Sequence, residues 1–359
     1  MKKNLILLLS LMYASPSFAI DDSQIVSLFE GTEAAETDIK TEENKGGIFS
    51  FLNFKKNKSD STSLNVADKK RLSTEEQAIK LAEAGNVDAQ LFLGYSYLYG
   101  ENNFSANYEK AYEYYAKAAL QNHPIALNNL GSLYYSGVGV DRNSAKAAVL
   151  FEKSAKLGNA EAAVNLGFIL ISGNGREKNP QLAMQYFENA SKIGSAIADF
   201  MVGYAHYRGI YRDKDLSKAA QLIKKAASAG FDEAQYVLAQ MYINGQGVPQ
   251  NYGTAVKNLK KAVAQGSVEA MSDLGNMLAQ GKKYAKDLYF AHMMYNIAAV
   301  YGAHGAAEKR NEIEAKLKID ELLQAQAEAE RYVAKPSELS KYIRQTFGTN
   351  VRQYIDVEK

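Results

Sequence analysis

Apolar and small positions recur along this chain at two nested intervals. The inner interval is helical. From Ala126 to Tyr135 the apolar residues fall at the three-and-four spacing of one helix face, and from Ala145 to Leu157 they do so again. Gly137 and Gly139 interrupt the first run and Gly158 ends the second. The outer interval is one of 36 residues, and once 37. It places Gly94, Gly131, Gly167, Gly203 and Gly275 in mid-helix, with Ala239 in the fifth place. A fixed period of this size predicts stacked helix-turn-helix units. Six are expected, at about 86–121, 122–157, 158–193, 194–229, 230–265 and 266–301. Thr74 to Ala84 reads as a partial helix before them. A polar, alanine-rich helix from about 306 to 334 reads as a terminal cap, as an array needs. Lys335-Pro336 ends it, Ser337 to Phe347 has room for one short helix, and the chain from Gly348 reads as a tail.

The small residues define the packing. Alanines open the first helix of each pair (Ala89, Ala126, Ala162, Ala198, Ala234, Ala270) and recur early and late in the second. Glycine inside a helix costs about 1 kcal/mol relative to alanine. Its return at one register therefore implies a close helix–helix approach, and Ala239 predicts a slightly wider fifth pair. Each second helix ends on Gly or, once, on Asn122, the substitute that tolerates a left-handed conformation.

The first 72 residues lack this order. Lys2 and Lys3, the apolar run Leu5 to Met12 and the small-x-small site Ser17-Phe18-Ala19 read as a secretory signal cut after Ala19. Residues 20–72 read as a flexible charged arm, acidic to about residue 43 and basic from about 45 to 71. Within it Ile48, Phe49, Phe51, Leu52 and Phe54 form an apolar island, expected to pack on the first repeat, dock in a groove or touch a membrane surface. The domains expected are thus 1–19, 20–72, a repeat array over 73–305, a capping helix over 306–335, and a short helix and tail over 336–359.

Composition narrows the classes of function. There is no cysteine, which excludes a lipidated cysteine after the signal, disulfides, thiolate metal sites and a cysteine nucleophile. The formal charge is +2, and loss of Lys2 and Lys3 makes the mature chain neutral. That balance gives no support to a nucleic-acid partner. No run after the signal is long enough for an integral membrane span. His123, His206, His292 and His304 lie in different repeats or loops, and none has the i, i+4 partner of a helical zinc site. Gly173-Asn174-Gly175 follows a helix rather than a strand and recurs as a turn, so it is no phosphate loop. No pair of carboxylates suggests acid–base chemistry. No enzyme activity, metal or cofactor is expected.

The pattern of LGSLYYSGVGVDRNSAKA at 130–147 and AQMYINGQGVPQNYGTA at 239–255 resembles the Sel-one-like repeat, a relative of the tetratricopeptide repeat. The resemblance covers roughly 74–335 and implies an all-α, right-handed α/α solenoid. ELLQAQAEAERYVAKP at 321–336 is similar to the helix that often closes exported bacterial members, with Tyr332 where those have a tryptophan. It also implies non-catalytic work in the envelope: regulator, assembly adaptor or virulence factor. The alternatives are an immunity protein against a delivered toxin and an accessory of cell-wall metabolism. In the related tetratricopeptide solenoids the first helix of each pair lines the concave side. Carried over, the groove positions include Tyr95, Tyr135, Phe168, Phe200, Tyr204, Tyr207 and Tyr236, an aromatic strip for a protein or peptide partner. The competing reading is that several of these are core, buried by superhelix twist.

Overall fold

A computed structural model describes residues 74–347 and 350–356 of the chain. The signal, the charged arm and the island Ile48 to Phe54 lie outside the described residues. Among those residues all regular structure is helical. They fall into two compact units, one ending at Ser154 and one beginning at Ala155.

The first unit opens with α1 (Thr74–Glu83), followed by the pair α2 (Val87–Tyr99) and α3 (Tyr108–Leu120). The next pair is α4 (Pro124–Ser136) and α5 (Ser144–Lys156). The second unit continues with four pairs. These are α6 (Ala160–Ser172) with α7 (Pro180–Lys192), α8 (Ala196–Arg208) with α9 (Leu216–Ser228), α10 (Asp232–Asn244) with α11 (Tyr252–Ala264), and α12 (Val268–Gln280) with α13 (Leu288–Val300). Each of the paired helices is 13 residues long. The uniform length follows from punctuation that repeats with the sequence. Asn107, Asn143, Asn179, Asp215, Asn251 and Asp287 each accept a backbone N–H three residues on, capping every second helix at the same register. A left-handed glycine such as Gly137, φ 75°, ends each first helix. Asn122 takes the left-handed conformation expected of it, φ 56°. Tyr211 does so as well, φ 61°, at the turn position filled by Gly139, Gly175 and Gly247 elsewhere, a costly conformation for a bulky side chain.

Four of the five mid-helix glycines face rings, and the fifth, Gly203, faces Ile223. A methyl group on Gly94 would lie 2.6 Å from Tyr115, on Gly131 2.9 Å from Phe151, on Gly167 2.7 Å from Phe187 and on Gly275 2.9 Å from Tyr295. Each ring lies about twenty residues on and uses the space the missing side chain leaves. Ala239 is fully buried, and the residue at the ring's register in its pair is Leu259, also fully buried.

The C-terminal region departs from the expected single cap. It forms α14 (Ala306–Glu314) and α15 (Ile319–Glu330), broken at Ala315 to Lys318. Lys316 N–H closes back on the Ile313 carbonyl at 2.8 Å, and Glu321 accepts from Lys318 N–H at 3.1 Å to start a new helix. Tyr332 crosses the Tyr301 ring edge-on at 6.3 Å, and its hydroxyl donates to the Val263 carbonyl. Beyond Pro336 come α16 (Glu338–Phe347) and the single turn α17 (Gln353–Asp356). These are not a loose end: Ser340, Ile343, Val351 and Ile355 are fully or almost fully buried.

Candidate interaction surface

The chain's own C-terminal segment, residues 337–347 and 350–356, is seated on the first helices of the pairs in the second unit. One contact supplies what a helix of the array lacks. Most first helices of the array start at Asn or Ser, whose side chain caps them; α10 starts at Phe231, which cannot. Ser340 takes over that role, with Asp232 N–H donating to its Oγ at 3.2 Å. Ser340 Oγ donates in turn to Gln265 Oε1 at 2.8 Å, and Ser337 N–H donates to the same oxygen at 2.8 Å.

The first turns of these helices are acidic, as helix dipoles favour. Asp232 receives Arg344 at 2.5 Å. Glu233 Oε1 accepts from Val351 N–H at 2.9 Å, and its Oε2 lies 3.3 Å from Arg352 Nε, close enough to pair though not aligned as a hydrogen bond. Arg352 reaches Glu269 at 2.9 Å. Tyr342 donates to Glu161. Burial pushes the Glu233 carboxyl up to about 7, against the pull of Arg352 and of Val351 N–H. Burial likewise raises Glu161, opposed by the Tyr342 hydroxyl.

The aromatic positions divide by what they meet. Phe168 stacks on Phe347 at 4.1 Å and meets Tyr354 edge-on at 4.9 Å. Tyr204 donates to Asp356 at 3.0 Å, and Arg208 pairs with the same carboxylate. Burial raises the Tyr204 hydroxyl, with Arg208 acting against the rise. Arg352 lies over the Tyr236 ring, 5.2 Å from its centre, while the Tyr236 hydroxyl donates to Asp273 at 3.0 Å. These three bring the predicted strip and the C-terminal segment together.

The other positions lie elsewhere. Phe200 has no accessible surface. Its ring packs against Phe231 at 4.9 Å and Tyr204 at 5.6 Å, so it supports the strip from beneath and the core reading holds for it. Tyr207 is half-buried and donates to Gln246 at 2.9 Å, within the turn after α10. Tyr95 and Tyr135 belong to the first unit: Tyr95 packs on Tyr99 at 4.7 Å, and Arg142 lies 5.7 Å from the Tyr135 ring centre.

Sequence reasoning passed over the residues that seat on this strip. Their signal was present. Ile343, Phe347, Val351 and Ile355 recur every four residues in a stretch read as a short helix and tail, and Phe231 breaks the run of polar caps. Two of the four histidines have local partners: His206 Nδ1 lies 2.8 Å from the Asp213 carbonyl, and His292 Nε2 3.2 Å from Glu314.

The family model for the Sel1 repeat matches six consecutive segments, 87–123, 124–159, 160–195, 196–231, 232–267 and 268–315. The chain belongs to the Sel1 repeat family. Members of this family are generally non-catalytic scaffolds for protein–protein interaction, and the α/α-solenoid repeat follows from membership. The Sel1 chain is similar to a solved Sel1 repeat protein from Oxalobacter formigenes at 27% identity and a TM-score of 0.56, over 64% of this chain and 100% of that one. It is also similar to a protective antigen of uropathogenic Escherichia coli with the same repeat fold, at 25% identity and a TM-score of 0.52. That match covers 76% of this chain and 66% of the antigen, just under two thirds of its length. No curated protein matches the chain. Among the described residues no helix is long and apolar enough to cross a membrane.

Proposed function

We propose that this Sel1 chain is an exported, non-catalytic scaffold of the bacterial envelope. The first-helix face of its second unit receives a peptide or protein partner. The reading is supported chiefly by one observation: that face holds a peptide segment by ring stacking on Phe168, a guanidinium over Tyr236 and charge pairs at Glu233, Glu269 and Arg208. Such anchors, aromatic rings and arginines around an apolar centre, are what peptide-binding surfaces use. The signal read at residues 1–19 supports export, and the chain's residues offer no catalytic constellation.

The test places a photo-crosslinking side chain at Tyr207, beside the strip, and in a second protein at the exposed Lys260 on α11. Both are made in bacterial cells from the full chain. A discrete adduct in the envelope fraction from position 207 and not from 260 is expected, on a protein whose mass shows the chain starting at Ile20. Equal adducts from both positions, or a chain retained in the cytosol at full mass, would overturn the reading.

A further inference from the structure

We propose that residues 337–347 and 350–356 are a built-in ligand of the first-helix face, and that the partner is a peptide segment bearing the same set of groups, an aromatic ring, an arginine and a closing carboxylate, which displaces them. The inference rests on the scaffold reading above and names the chemistry of its partner.

The face selects that chemistry by charge and shape. It carries the carboxylates Glu161, Asp232, Glu233 and Glu269; the Tyr342 hydroxyl meets the first, and Arg344 and Arg352 bring cations to the other three. At the other side Arg208 demands an anion, which Asp356 supplies. Phe168 presents a ring face, on which Phe347 stacks nearly parallel, at 29°. The order along the segment is thus ring, arginine five residues on, carboxylate four residues further, read from Phe347, Arg352 and Asp356. A neutral segment would give Glu233 no cation to offset its burial, and a uniformly acidic one would add like charge beside it.

The segment is suited to exchange. It joins the array through the connection at Lys335 and Pro336. Two of its charged anchors stay partly in solvent, Asp356 at 33% and Arg344 at 26% exposed, while Arg352 is more enclosed at 16%. Exposed ion pairs of this kind add little net binding. A segment in trans with the same groups gains the same contacts, and the tether only lowers its apparent affinity by the fraction of time the site is filled in cis.

The probe is a labelled synthetic peptide of residues 337–356. Its binding is measured to the full unaltered chain and to the full chain carrying Phe347→Ala and Arg352→Ala, which removes the stack on Phe168 and the pairing with Glu233 and Glu269 and so weakens the hold in cis. The peptide should bind the variant at least about tenfold more tightly than the unaltered chain, and the same peptide with Arg352→Glu should not bind. Equal binding to both proteins, or none to a variant that keeps its helical content, would overturn the proposal. Should the variant not fold, hydrogen exchange on the unaltered chain decides. Amides of α16 and α17 should exchange through a local opening, well before those of α8 and α10. Protection equal to those helices would make the segment a permanent part of the array and end the proposal. Exchange of the segment between two copies, seen as a concentration-dependent dimer, would also overturn it. If the peptide fails while the adduct at position 207 persists, the ligand chemistry is wrong and the scaffold reading stands. If the adduct is lost, the scaffold reading itself falls.

Discussion

Glu233 is the residue at which the C-terminal segment has its sharpest electrostatic consequence. Its carboxyl faces Arg352, Val351 N–H, Asp232 and Glu269, and burial, the largest influence, pushes it from 4.5 to about 7. An acid whose folded-state value is raised binds more protons folded than unfolded. The stability this linkage gives is fully present below the unfolded value near 4.5 and is lost as pH rises through about 7. Glu161, Asp199 and Asp273 are raised in the same direction, each chiefly by burial, so they add to the slope. Urea unfolding of the full chain at several pH values should therefore show stability falling between about pH 4.5 and 7.5. In Glu233→Gln that fall should shrink by on the order of 1–3 kcal/mol. An unchanged slope would show that Arg352 holds the carboxylate charged throughout. Ser340 offers a second measurement on the same contact. Removing the hydroxyl that caps α10 in Ser340→Ala should cost about 1 kcal/mol. The nearby exposed Ser228→Ala, whose hydroxyl only returns to the Lys224 carbonyl, should cost much less by the same urea titration.

At the scale of the helix pair, a glycine and a ring form one packing unit in four of the six pairs. In the fifth pair the unit is Ala239 with Leu259, both fully buried. The residue at the ring's register is aliphatic there, as it is in the fourth pair, where Gly203 faces Ile223. This gives a quantitative expectation. In Gly131→Ala the new methyl meets Phe151 at 2.9 Å. The overpacking, about 1–3 kcal/mol, outweighs the roughly 1 kcal/mol that alanine adds to helix propensity. Phe151→Leu alone leaves a void. The double substitution rebuilds the arrangement of Ala239 and Leu259, so urea unfolding should show it less destabilised than the two singles predict, by about 1 kcal/mol. Strict additivity would mean that the two sites do not share their space. These units were legible because they are periodic. Apolar spacing marks both helices and glycine marks their ends, so the six pairs fall where the repeat places them. The break at Ala315 to Lys318 was not legible. No Gly or Pro marks it, and the alanine-rich stretch favours helix on both sides; at the break Leu317 packs onto the core of the last pairs.

At the scale of the molecule, repeat arrays are held by neighbour-to-neighbour contacts, and most of this chain obeys that rule. The C-terminal segment does not. Tyr342 reaches Glu161 across 181 positions, and Asp356 reaches Arg208 across 148, so one segment touches pairs that are not sequence neighbours. Such contacts cannot be read from a repeat. The period names the surface of each helix, and the aromatic strip was legible to that extent; what lies on the strip depends on a non-repeating segment whose partners are set by the folded array. The long-range contacts described here all belong to the second unit, and this localises the effect of disturbing them. In Phe347→Ala the stack on Phe168 is lost and the segment is held mainly by its charge pairs. Hydrogen exchange should then quicken at least roughly tenfold, the equivalent of about 1.4 kcal/mol, at α16 and α17. A smaller rise is expected at the start of α10, where Ser340 caps Asp232. The amides of α2 and α3, whose core is built from Leu93, Tyr97, Ala111 and Tyr114 within the first unit, should keep their protection unchanged. Quickening spread evenly over both units would show instead that the segment governs the folding of the whole array.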